Sequence, residues 1–167
     1  MPAAEEAHSF DATDFDEAWS PHEIDARHAG LFADTKGDGL VGDATPFYVV
    51  HPRCVARIAA YNPAMRWIVL LRDPVERARS HHHMERQRGH ERLPLWLAVL
   101  LERWRLRGHA DDFARGSNLR RFSYRTRGDY ARQLDVLYVH FPREQVLVLR
   151  SERLRVDPET CVREACR

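Results

Sequence analysis

Lysine is almost absent: Lys36 stands alone beside 25 arginines. Such a bias reflects a GC-rich coding sequence more simply than a function. Cysteine is sparse too. Cys54, Cys161 and Cys166 are too few and too scattered for a disulfide framework or a zinc site, so a reduced cytoplasmic setting is the default expectation. No apolar run approaches the roughly 20 residues of a membrane span, and the opening MPAAEEAHSF has neither a basic nor an apolar signal-peptide region. The reading is therefore no membrane and no signal peptide. Net charge is only +1, so no global field attracts polyanions and nucleic acid is not an expected partner. A phosphate-gripping Gly-Lys-Ser/Thr loop is missing as well; GDGL at Gly37 to Leu40 has neither the following Lys-Ser/Thr nor a preceding strand.

What is present is 167 residues, 44% apolar and 31% charged, enough for one domain with a core. Its organising stretch is Arg66 to Gly89. Trp67 to Leu71 is an unbroken apolar run of β-formers and reads as a strand buried on both faces. Asp73-Pro74-Val75-Glu76 then starts a helix, with Asp73 as N-cap, Pro74 in the first turn and Glu76 closing a capping box. A strand feeding a helix N-terminus aims backbone N–H groups at one spot. Arg72 beside it and Ser80 two turns on suit a phosphate. The plain alternative is an ordinary capped helix with Arg72 paired to Asp73 or Glu76.

Elsewhere the punctuation is clear. Residues 1–38 are acidic and irregular, anchored by Phe10, Phe15, Trp19, Ile24, Leu31 and Phe32, and Gly39 to Gly42 suits a short strand. Pro52 to Ala60 reads as a helix with Val55, Ile58 and Ala59 inward, and the helix after Asp73 runs to about residue 88. In it, His81-His82-His83 lack an i, i+4 partner, because Met84 and Glu85 hold those places. A metal is disfavoured against a solvated or acceptor-facing surface. Leu93, Trp96, Leu97, Leu100, Leu101 and Trp104 recur at helical spacing and are expected to pack into the core. Arg107 to Gly128, with five arginines between Arg115 and Arg127, reads as a mobile loop that could meet an anionic or sugar acceptor, or as plain solvated chain. A helix over Asp129 to Phe141, a second buried strand over Gln145 to Leu149 and a helix capped by Asp157-Pro158 complete an α/β pattern.

LLRDPVERARS resembles the 3′-phosphate-binding segment of sulfotransferases that use 3′-phosphoadenosine 5′-phosphosulfate (PAPS), in their bacterial and heparan-sulfate branch. The family pattern Arg-Asp-Pro-x-x-Arg-x-x-Ser is met at Arg72, Asp73, Pro74, Arg77 and Ser80. GDATPFYVVHP resembles the family's Gly-Glu-x-(Thr/Ser)-Pro-x-Tyr segment, with Asp43 for the usual Glu and Ala44 where a Lys is frequent. EEAHSFD resembles Lys-Glu-x-His-Phe-Phe-Asp, with Glu5 for the Lys and Ser9 for the first Phe; RGDYARQL resembles Gly-x-Tyr-x-x-x-Leu. The resemblance implies a three-layer α/β sandwich with a small parallel sheet, related to P-loop NTPases and here incomplete. It implies one partial sulfotransferase domain over residues 1–167, with PAPS as co-substrate and no metal.

Carried over by position, Arg72 and Ser80 would hold the 3′-phosphate, Glu6 would be the base, and His8 and Asp11 would support it. The acceptor would be a hydroxyl or amine on a carbohydrate or small molecule. The family's loop around the 5′-phosphosulfate has no counterpart in the chain, which therefore reads as a fragment, a clipped gene start or a degenerate copy, slow in turnover. A non-catalytic relative that binds adenosine 3′,5′-bisphosphate or an anionic glycan is the rival expectation, and the missing loop lysine speaks against a nucleotide kinase.

Overall fold

The structure is a computed structural model and describes residues 7–29 and 42–166. Its elements are α1 (Pro21–His28), α2 (Pro52–Tyr61), β1 (Trp67–Leu71), α3 (Pro74–Gln87), α4 (Leu95–Arg105), α5 (Asn118–Phe122), α6 (Tyr130–His140), β2 (Val146–Arg150), α7 (Ser151–Val156) and α8 (Pro158–Ala165). Aspartate caps set three of the helix starts. Asp73 accepts from Val75 and Glu76 N–H, Asp129 from Arg132 N–H and Asp157 from Thr160 N–H. The expected capping box at Asp73 does not close. Glu76 turns to Arg79, and Glu152 takes the Asp73 N–H instead. The box forms at Ser20 and Glu23, which start α1 in a stretch expected to be irregular. Gly89, at φ 77°, supplies the left-handed residue that ends α3.

β1 and β2 pair in parallel, in register from Trp67 with Val146 to Leu71 with Arg150. The sequence between them, α3 to α6, forms the crossover that parallel strands require. One face of the pair, carrying Trp67, Val69, Leu71, Val146 and Val148, packs on Val55, Ile58, Leu137 and Phe141. The same core holds Phe10, Phe47 and Tyr48, so the segments bearing the candidate site are fastened to the sheet. The other face is only partly covered. Leu149 is buried, but Ile68 and Leu70 are 58% and 50% exposed, against the expectation of burial on both faces. An apolar run reports that a strand can be covered twice; helices of the described residues cover β1 once. Residues 39–41 of the expected short strand lie outside the described residues.

Helix α4 corrects a second expectation. Trp96, Leu100 and Trp104 are 69%, 69% and 74% exposed, whereas Ala98 and Glu102 face inward. Buried Glu102 explains the rotation. Its carboxylate accepts from Arg125 N–H at 2.5 Å, Thr126 N–H at 2.8 Å and Thr126 Oγ1 at 2.7 Å. Those bonds turn the polar edge of the helix toward the chain beyond α5 and leave the tryptophan stripe outside. The arginine-rich segment is likewise structured, containing α5 and a 3-10 turn at Thr126–Gly128. A β-carbon on Gly128 would lie 3.2 Å from Pro74 Cβ, so that turn seats directly on the start of α3.

Candidate functional site

The site is assembled from three segments that are far apart in sequence. Asp43 is the hub of the first two. Its carboxylate accepts from Tyr48 Oη at 2.5 Å, Thr45 Oγ1 at 2.7 Å and Ala7 N–H at 3.3 Å. Thr45 Oγ1 in turn accepts from His8 N–H at 3.3 Å, and Tyr48 Oη from Ser9 N–H at 2.9 Å. The GDATPFY segment is thus a cradle for backbone residues 7–10. Burial, then the Asp43 carboxylate, raise the Tyr48 pKa and keep its hydroxyl protonated as a donor. Buried Arg57 fixes the next turn by donating to the Phe10 carbonyl at 2.7 Å and to Glu17 at 2.9 Å.

Held this way, His8 adopts φ 51°, the left-handed region that a non-glycine residue enters only under constraint. Its Nδ1 lies 3.0 and 3.3 Å from the two Asp11 carboxylate oxygens. A carboxylate only accepts, so Nδ1 carries a proton and donates it to Asp11. Asp11 has no exposed side-chain surface, and Arg120 of α5 donates to its Oδ2 at 2.6 Å. Glu6, the expected base, lies outside the described residues.

Arg72 and Ser80 are the other candidate residues. Arg72 sits half-buried at the carboxyl end of β1, where ligands gather on open α/β sheets. Neither side chain makes a hydrogen bond or ion pair with any described residue, so the alternative of a salt bridge from Arg72 to Asp73 or Glu76 does not hold. The helix N-terminus contributes less than the sequence suggested, because Asp73 already occupies the Val75 and Glu76 N–H groups. An anion here would be gripped by side chains. Arg77 is a brace: it is half-buried and donates to the Tyr124 carbonyl, tying α3 to the chain after α5.

The histidine run is solvated only at His83, which is exposed. His81 and His82 are both buried; His82 Nε2 lies 2.9 Å from the Leu93 carbonyl, and His81 packs on Tyr124. Burial, then Arg127 and Arg77, push the His81 pKa down to about 3. The Arg120 backbone faces the same ring, so the residue whose side chain holds Asp11 also adjoins the turn of α3 that carries Ser80. Among the described residues no three His, Cys, Asp or Glu side chains are grouped to hold a metal.

Arg120 is the residue that sequence reading missed. It lies 109 positions from Asp11 and is one of several arginines without distinguishing spacing. Ser117, the N-cap of α5, is the local signal that Arg120 belongs to a helix rather than a loop.

A solved sulfotransferase from Alicyclobacillus acidocaldarius superposes on 96% of this chain with a TM-score of 0.76 and 29% sequence identity. The chain carries a sulfotransferase-like domain. A membrane-associated sulfotransferase of Dictyostelium discoideum is 37% identical over 62 residues, 37% of this chain. No family model matches. The match spans 66% of the bacterial chain and 13% of the Dictyostelium protein. Among the described residues no helix is long and apolar enough to cross a membrane. The sulfotransferase-like α/β fold places β1 and the cradle of His8 in one core, with α3 following directly on β1.

Proposed function

We propose that this chain serves sulfuryl transfer from PAPS to a hydroxyl or amine of a carbohydrate or small-molecule acceptor. The observation that carries the reading is Arg72: a guanidinium at the carboxyl end of a parallel strand with none of its donors claimed by a described residue. Unclaimed donors, with an exposed serine two turns along the following helix, fit a phosphate dianion. Arg72 and Ser80 would hold the 3′-phosphate. PAPS, when bound, supplies a sulfuryl group already activated by its phosphate leaving group.

The chain's own work is then to place the acceptor and remove its proton. The acceptor oxygen or nitrogen bonds to sulfur as the sulfur–oxygen bond to the phosphate breaks, and the bisphosphate leaves with that electron pair. The acceptor proton goes to the Glu6 carboxylate. His8, its ring held by the bond from Nδ1 to Asp11, stands beside the acceptor and helps to orient it. Asp43, with three hydrogen bonds on its carboxylate, holds the His8 segment and is not the base.

Transfer of labelled sulfate from PAPS to a panel of sugars, phenols and amines tests this. Glu6→Gln should lower the rate by about a hundredfold or more, the usual worth of a general base. Binding of the bisphosphate with no transfer to any acceptor would favour a non-catalytic binding module. Neither binding nor transfer would overturn the reading.

A further inference from the structure

We propose that helix α4 docks the chain peripherally on an anionic membrane surface, laying Trp96, Leu100 and Trp104 into the lipid headgroup layer. The docking is independent of the reaction proposed above. The three side chains are 69%, 69% and 74% exposed and follow one another at four-residue spacing, so they form a single ridge along an 11-residue helix. Neither indole stacks on a ring of a described residue or donates a hydrogen bond to one. Large apolar side chains in contiguous exposure mark an interaction surface. The exposure is also enforced. Glu102 lies on the opposite side of α4, where Arg125 N–H, Thr126 N–H and Thr126 Oγ1 hold its carboxylate. Turning the ridge inward would take that buried carboxylate away from all three donors.

Charge decides the occupant. From Arg92 to Ala110 the sequence holds one acidic residue, Glu102, and it is buried. Four arginines lie in the same stretch. Arg105 is committed to Glu91, whereas Arg92, Arg103 and Arg107 are exposed and make no ion pair with a described residue. The surface of α4 therefore offers tryptophan, leucine and arginine, and no anion. Two copies laid face to face would bring arginines together with nothing to pair them, which argues against self-association. A protein partner would need a groove cut to the ridge, whereas a lipid surface accepts a convex helix as it stands. Tryptophan settles at headgroup level, and arginine is drawn to anionic headgroups while its stem covers apolar surface. Trp96 and Trp104 stand about 12 Å apart along the axis, so both reach the same plane when α4 lies flat. The helix is about 16 Å long, far short of a span.

Flotation with vesicles of phosphatidylcholine alone, and of phosphatidylcholine with about a third phosphatidylserine, tests the docking. The chain should float with the anionic vesicles and bind the neutral ones about a hundredfold more weakly, at about fivefold for each of the three arginines. Exchanging Trp96→Ser and Trp104→Ser together should weaken anionic binding by about a hundredfold or more. Arg92→Gln/Arg103→Gln/Arg107→Gln should bring anionic binding down to the neutral level. All five positions are exposed, so both variants should keep the parent's urea midpoint, which separates lost docking from lost folding. The comparison of the two vesicle types needs no variant. No flotation with anionic vesicles, equal binding to both vesicle types, or a tryptophan variant that binds like the parent would overturn the proposal. So would a concentration-dependent dimer in sedimentation velocity that the tryptophan variant abolishes, because a second copy would then cover the ridge.

Discussion

Glu91 offers a sharp test of how the α3–α4 corner is held. Its buried carboxylate accepts from the Arg92 and Leu93 N–H groups at 2.8 and 2.9 Å, from Arg105 at 2.5 Å and from Tyr124 Oη at 3.0 Å. Burial alone would raise its pKa; the Arg105 guanidinium, the Leu93 amide and the Tyr124 hydroxyl outweigh it and pull the value from 4.5 down to about 2. At about 1.4 kcal/mol per pH unit, that depression is on the order of 3 kcal/mol of stability. The sign follows from the depressed folded value. The contribution is complete above the unfolded value near 4.5 and is lost as pH falls toward 2. Glu91→Gln should therefore destabilise by roughly 3 kcal/mol at pH 7, measured by urea unfolding. Its deficit against the parent should shrink between pH 4.5 and pH 2. A deficit that stays constant across that window would show that the charge of Glu91 is not what holds the corner.

Three further outcomes are expected. Tyr48→Phe removes the donor to Asp43 and the acceptor for Ser9 N–H, and should cost about 1–3 kcal/mol with faster hydrogen exchange at the Ser9 amide. Arg57→Ala removes a buried donor to the Phe10 carbonyl and one of the two arginines that meet Glu17, beside the Phe15 ring; it should cost about 3 kcal/mol in thermal or urea unfolding. Ser80→Ala should weaken bisphosphate binding by less than tenfold by calorimetry, because a neutral hydroxyl contributes less than a charged donor. For the two stability variants an effect within about 0.5 kcal/mol of zero would contradict the role assigned, and for Ser80→Ala a loss of tenfold or more would.

Local chemistry carried much of the fold into view. Asp73-Pro74 and Asp157-Pro158 each put a carboxylate and a proline where a helix starts, and the two apolar runs became the paired strands, with β2 displaced by one residue to Val146–Arg150. Burial was harder to read, because it depends on what stands opposite. The Trp96–Leu100–Trp104 stripe has core periodicity, yet Glu102 finds three donors on the chain after α5 and turns the helix the other way. His81 and His82 look like a polar face in sequence and are buried because a carbonyl and an aromatic ring meet them. Among the candidate residues, Arg72, Ser80, His8 and Asp11 were reached through motifs. Arg120 was not, since nothing near it in sequence distinguishes it from its neighbouring arginines. The three hydrogen bonds on Asp43 were not legible either, because two of the donors sit on residues 36 positions upstream and five downstream of it.

Calorimetric titration of 3′-phosphoadenosine 5′-phosphate into the chain and into Arg72→Ala bears most directly on the proposed function. Arg72 offers a guanidinium that no described residue engages at the carboxyl end of β1, and losing a charge-assisted bond to a phosphate should cost about 1.5–3 kcal/mol. The account predicts binding by the parent chain and an affinity weaker by about tenfold or more in the variant. Equal affinity in the two proteins would contradict it.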